Sequence, residues 1–139
     1  MTTARAADTI ERLYAAVRGG DMEEVVAYFA ADCTFIDIAA GSTMHGHDEF
    51  RAYMAETWEA FPDFTPGDAT FISEGDRVAA DLVIRGTHRG TFAGIPATGR
   101  AVSWRAAGFY ELDPDGLVKQ ETFIYDSASL LAQLQERSQ

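Results

Sequence analysis

An α+β fold, with helices packed on one face of a strongly curved antiparallel sheet, is what this 139-residue sequence predicts. Three observations carry that expectation. Up to Phe61 the apolar residues recur mainly at helical spacing, whereas from Phe64 onward they alternate with a period of two. The turn sequences Glu74-Gly75-Asp76 and Asp113-Pro114-Asp115-Gly116 join alternating runs and make them antiparallel neighbours. Helices first and a strand meander afterwards leave one helical layer to cover one sheet.

Each element has its own signal. Ile10, Leu13, Tyr14 and Val17 form the apolar stripe of a first helix, which Gly19-Gly20 ends. Asp21 and Glu24 have capping-box spacing, and a second helix behind them carries Met22, Val25, Val26 and Phe29. Residues 33–38 are rich in β-formers and read as a short strand. Phe50, Tyr53, Met54, Trp58 and Phe61 mark a third amphipathic helix, stopped by Pro62. Strands are expected over 64–73, 77–88, 102–112 and 117–125, and a closing helix over 127–135 carries Leu130, Leu131 and Leu134. The longest irregular piece, 89–99, takes its shape from Gly90, Gly94, Pro96 and Gly99. It lacks the lysine and the following helix of a phosphate-binding loop.

Composition narrows the function classes. The chain fits one domain, residues 1–139, burying roughly 70% of the surface its unfolded form exposes. Eleven basic against 22 acidic residues give a net charge of −11, which repels phosphate backbones and anionic lipid, so neither a nucleic acid nor a membrane is an expected partner. The lone Cys33 rules out an internal disulfide and a cysteine metal cluster. No apolar run approaches the ~20 residues of a membrane span, and no basic-then-apolar leader opens the chain, so a cytoplasmic location is expected. His45 and His47 lack a third ligand at clear spacing, and no metal site is expected.

Strand parity selects the candidate residues. Val102, Trp104, Ala106, Gly108, Tyr110 and Leu112 share one face of their strand, and Glu121, Phe123 and Tyr125 share one face of the next. Both sets are assigned to the helix-covered side, leaving Ser103, Arg105, Phe109, Thr122 and Ile124 outward. Asp37 shares parity with Cys33 and Phe35, so an apolar face ends on a carboxylate, a placement that suits proton transfer. The same residue also opens the turn 38–41, where it would cap backbone amides. Glu121 is an acidic residue on an otherwise apolar inward face, either an acid–base group or a rim carboxylate paired with Arg85 or Lys119. Asp126 fits a cap for the closing helix.

The stretch GTHRGTFAGIPATGR from Gly86 to Arg100, with the tail YDSASLLAQL, resembles the SnoaL-like polyketide cyclase and ester cyclase family of the nuclear transport factor 2-like superfamily, which also contains the ketosteroid isomerases. The resemblance implies a cone-shaped pocket protein, commonly a homodimer through its outer sheet face, acting on a hydrophobic small molecule without cofactor or metal. Asp37 falls where the isomerases place their general base, and Tyr14 close to their oxyanion-binding tyrosine. His88, in the GTH of the loop motif, is a titratable candidate near neutrality. The cyclases' catalytic aspartate maps onto Phe123, the histidine before it onto Glu121, and their second catalytic histidine onto Gly108. Tyr14, Tyr53, Trp58, Phe61, Trp104, Tyr110, Phe123 and Tyr125 would line or underlie the cavity, with Gly108 and Ala106 leaving room for a flat guest.

The expected function is therefore cofactor-free acid–base chemistry on a hydrophobic, carbonyl-bearing substrate, an aldol-type cyclisation or an isomerisation. Asp37 takes a proton, Tyr14 steadies the oxyanion, and Glu121 or His88 returns the proton. Two alternatives stand beside it. One is epoxide opening or assisted hydroxylation, which would want an inward arginine, and Arg105 points outward by parity. The other is a binding protein that has lost its chemistry.

Overall fold

The computed structural model describes residues 2–135. Helix α1 (Thr2–Gly19) buries Ile10, Leu13, Tyr14 and Val17, the stripe their spacing requires. Asp21 Oδ1 accepts from the backbone N–H groups of Glu23 and Glu24 and so starts α2 (Met22–Val26). This helix is shorter than its sequence suggests, because Phe29 opens β1 (Phe29–Asp37) instead. A turn over 38–41 leads back into β2 (Ser42–His45), an edge strand absent from the sequence expectation. Then α3 (Gly46–Ala60) crosses the sheet and stops before Pro62.

The run expected as one strand over 64–73 is two pieces, β3 (Thr65–Pro66) and β4 (Thr70–Glu74), both antiparallel to β5 (Arg77–Thr87). Gly67 bridges them, its N–H donating to the Val83 carbonyl at 2.8 Å. The meander continues with β6 (Ala101–Leu112) and β7 (Val118–Tyr125), and α4 (Ser127–Gln135) closes the described chain. Asp126 caps α4 by accepting from Ser129 N–H at 3.0 Å.

The sheet order is β2-β1-β7-β6-β5-β3, with β4 also on β5. Every pairing is antiparallel except β1 with β7, which run parallel. Register on the concave face sets out the site in rows: Phe35, Glu121, Tyr110 and Val78 lie across four strands, and Asp37, Phe123, Gly108 and Ala80 form the next row. The convex face exposes Ile72, Val83, Phe109 and Ile124 together with Arg105, so the parity assignment holds in the structure.

The irregular stretch after β5 ties the sheet to α3. Arg89 and Gly90 both donate to the Ala60 carbonyl, capping the helix C-terminus. Gly90 lies so close that a Cβ there would sit 2.3 Å from the Glu59 carbonyl oxygen. Further along, Ala93 and Gly94 both have positive φ in a two-residue turn between Phe92 and Ile95, which exchange backbone hydrogen bonds.

Candidate functional site

Between the helices and the concave face lies a cavity of about 450 Å³, a volume ordinary for a small-molecule site. Its inner wall is Tyr14 from α1, Tyr53 and Met54 from α3, and Phe35, Trp104, Tyr110 and Phe123 from the sheet. Its mouth is formed by Ala39 and Ala40 of the turn after β1, by Glu56 and Thr57 near the end of α3, by Thr91–Ala93, and by Ser127 and Leu131 of α4. No lysine, arginine or histidine stands among the described residues that line it.

Two carboxyl groups face this apolar space from neighbouring strands. Asp37 ends β1 and is 3% exposed. Its Oδ1 accepts from Ala40 N–H at 3.0 Å, and its Oδ2 accepts from the Tyr53 hydroxyl at 2.9 Å. The turn-capping role and the cavity-facing role thus coexist in one side chain. Burial first, and then the Asp37 carboxylate, push the Tyr53 hydroxyl far above the usual phenol range. The same two causes push Tyr125, the next aromatic on β7 after Phe123, up to about 12.

Glu121 is 6% exposed, and none of the ion pairs among the described residues includes it. Arg85 and Lys119, its conceivable partners, are exposed. Burial pushes its carboxyl up to about 8, against a smaller lowering from the nearby Tyr110 hydroxyl. The carboxyl therefore holds its proton at neutral pH. Tyr110 is its cross-strand neighbour, and the Tyr110 hydroxyl lies 2.6 Å from that of Tyr14. Burial, and next the nearby Glu121, raise both phenols well above their ordinary value.

Three sequence candidates change place. His88 is wholly buried but does not line the cavity, since the ring of Phe61, which does, stands 5.7 Å from it. Its Nδ1 accepts from Thr98 N–H at 3.2 Å and lies 3.0 Å from the Thr98 hydroxyl, so the ring ties the loop together. Its Nε2 is buried without a hydrogen-bond partner. Trp58 is half-buried outside the cavity, because a helix turns about 100° per residue and the cavity stripe runs through Phe50, Tyr53, Met54, Thr57 and Phe61. Gly108 leaves no room for a guest: a Cβ there would be 2.6 Å from the Tyr110 hydroxyl, so the Tyr110 ring already fills that space.

Arg105 points outward and holds Asp81 with two hydrogen bonds of 2.8 and 2.6 Å. That placement removes the inward cation an epoxide-opening site would want. His47 Nε2 donates to the Phe29 carbonyl at 2.8 Å, and no group of three or more metal-type ligands occurs among the described residues. The sequence reading missed Phe35 and Phe92 as cavity walls. Parity with Asp37 signals the first, and a place in the loop near the mouth signals the second.

Comparison with known proteins places this geometry. No curated protein matches the sequence. Among solved structures, an assigned polyketide cyclase from Xanthomonas campestris superposes with a TM-score of 0.88 at 23% identity, over 96% of this chain and 99% of the other. IdmH from Streptomyces antibioticus, also assigned as a polyketide cyclase, gives 0.81 at 29% identity over 93% and 97%. A protein of ketosteroid isomerase-like fold from Catenulispora acidiphila gives 0.78 at 22% identity over 90% of each chain. The sequence profile of the SnoaL-like polyketide cyclases matches residues 7–134, nearly the whole length, and the chain belongs to that family.

Proposed function

We propose that the protein is an acid–base enzyme acting on a hydrophobic, carbonyl-bearing small molecule, by aldol-type cyclisation or by isomerisation. One observation carries this reading: two carboxyl groups share an apolar cavity in opposite environments. Asp37 receives two hydrogen bonds and can act as acceptor. Glu121 lacks a cation, is pushed up to about 8, and keeps its proton at neutral pH. A carboxylate held by two donors can accept a proton, and a desolvated carboxyl on the neighbouring strand can give one.

In this reading Asp37 takes a proton from the carbon beside the substrate carbonyl, breaking the C–H bond. The electron pair moves onto the carbonyl oxygen, which the Tyr14 hydroxyl holds by hydrogen bonding. For cyclisation the enolate carbon attacks a second carbonyl, a C–C bond forms, and the new alkoxide takes the proton of Glu121. For isomerisation the proton returns at another carbon. Tyr53 fixes the Asp37 carboxylate, and the aromatic walls keep water from the enolate.

The test is solvent-deuterium exchange at the α-carbon of β-keto esters and steroid ketones, followed by NMR. The wild-type protein exchanges the α-protons of at least one of these. Asp37→Asn loses exchange by at least about two orders of magnitude while ligand affinity stays within a few-fold. Tight binding without exchange in the wild type identifies a binding protein and overturns the enzyme reading.

A further inference from the structure

Along β6 the concave face carries Gly108 and then Tyr110, two positions apart and so on the same side of the strand. Register sets Gly108 between Ala80 and Phe123, with Phe71 beyond Ala80, so two small residues leave a notch between two rings. Tyr110 leans back along its own strand over Gly108. A Cβ at position 108 would lie 2.6 Å from the Tyr110 hydroxyl oxygen, 2.7 Å from its Cε1 and 2.9 Å from its Cζ. All three distances fall well inside the ~3.5–4.0 Å of ordinary carbon contact. The hydroxyl end of Tyr110 therefore stands where a side chain at 108 would begin. No backbone demand explains the glycine, because β6 runs on through it and Gly108 is not among the described residues with positive φ.

From that place the Tyr110 hydroxyl reaches the Tyr14 hydroxyl at 2.6 Å, and either can donate. The Tyr14 ring, carried by α1, stacks on Phe71 of β4 with centroids 6.2 Å apart and meets the Tyr110 ring edge-on at 6.2 Å. Both tyrosines line the cavity. Two hydroxyls bring two protons to one shared bond, so one proton is left for an oxygen in the cavity.

We infer that Gly108 is a positioning residue: by carrying no side chain it seats the Tyr110 hydroxyl against Tyr14, and the joined pair holds the carbonyl oxygen of a ligand more tightly than Tyr14 alone. The physical reason is twofold. A hydroxyl that accepts one hydrogen bond becomes a stronger donor of its own, because bonds in a chain polarise one another. The bond also fixes the direction of an O–H that otherwise rotates. Any side chain at 108 forces the Tyr110 ring out of the notch and takes its hydroxyl away from Tyr14. The inference rests on the reading of Tyr14 as the group that meets the ligand oxygen, and it deepens that reading.

Two probes test the pair by fluorescence titration. 2-Acetylnaphthalene carries a carbonyl acceptor, and 2-ethylnaphthalene has nearly the same shape without one. The ratio of their affinities cancels general damage to the cavity and reads the hydrogen bond to the carbonyl. Relative to the wild-type protein, the ratio moves against the ketone by about three- to tenfold in Tyr110→Phe, which keeps the ring, and by a similar factor in Gly108→Ala, the usual worth of one hydrogen bond. In a Tyr14→Phe background, Gly108→Ala leaves the ratio unchanged, since there is no longer a hydroxyl to position. A ratio that falls in Tyr14→Phe but not in Tyr110→Phe overturns the inference and keeps Tyr14 as the ligand-holding group. A ratio indifferent to Tyr14→Phe overturns that reading and the inference with it. A ratio that falls in Tyr110→Phe but not in a folded Gly108→Ala overturns the role of Gly108. If Gly108→Ala alone fails to fold, adding Tyr110→Ala removes the clashing ring and restores folding. A double variant that stays unfolded shows that the glycine serves something other than Tyr110 and overturns the inference.

Discussion

Glu121 keeps its proton because its carboxyl has exchanged water for aromatic walls. The consequence for stability follows from proton linkage. Folding raises this group from 4.5 to about 8, so between those values the folded protein binds more protons than the unfolded chain. The stability this group contributes is complete below its unfolded value and is lost as pH rises through its folded one. The full loss is of the order of a few kcal/mol. Glu121→Gln removes the titration while keeping the shape. Urea unfolding across a pH series is expected to give a flatter profile for the variant, with Glu121→Gln the more stable protein on the alkaline side. An unchanged slope would show that Glu121 is not desolvated.

Elements joined by close backbone contact are the ones that hold the cavity mouth. Gly90 caps α3 and packs on its last turn, where any β-carbon meets the Glu59 carbonyl at 2.3 Å. Gly90→Ala must push the loop off the helix and give up hydrogen bonds to Ala60. It is expected to cost about 1–3 kcal/mol by thermal or urea unfolding, within the range of overpacking. A cost below about 0.5 kcal/mol would mean that the loop end moves freely. The same segment shows what a sequence can and cannot carry. Long apolar periods made α1, α3 and β5–β7 legible, and parity placed Asp37, Tyr110 and Glu121 on the covered face. β2 was illegible because Ser-Thr-Met-His is a short edge strand with little β-forming character. The parallel contact of β1 with β7 joins segments far apart in the chain, and no local pattern encodes it. Gly108 looked like open space because the sequence does not say that the side chain two positions on, Tyr110, folds back over it. His88 has inward parity, yet Phe61 from another element stands between it and the cavity.

At the scale of the molecule, net charge and cavity chemistry select ligands in the same direction. The chain carries −11, and its cavity offers aromatic surface and carboxyl groups without a cation among its described lining residues. A ligand carboxylate must leave water for a wall that cannot pair with it, and it must do so close to Asp37. The long-range field adds repulsion on approach, which salt screens beyond a Debye length of about 8 Å at physiological ionic strength. The local desolvation cost is not screened. Methyl 2-naphthoate is therefore expected to bind at least about tenfold more tightly than 2-naphthoate at neutral pH, a gap of roughly 1.4 kcal/mol or more. Raising salt should narrow that gap without closing it, because only the repulsive part responds. Isothermal titration of both compounds at low and high salt measures the two contributions. Equal affinities, or tighter binding of the acid, would require a cation within reach of the ligand and would overturn the assignment of this cavity to uncharged molecules.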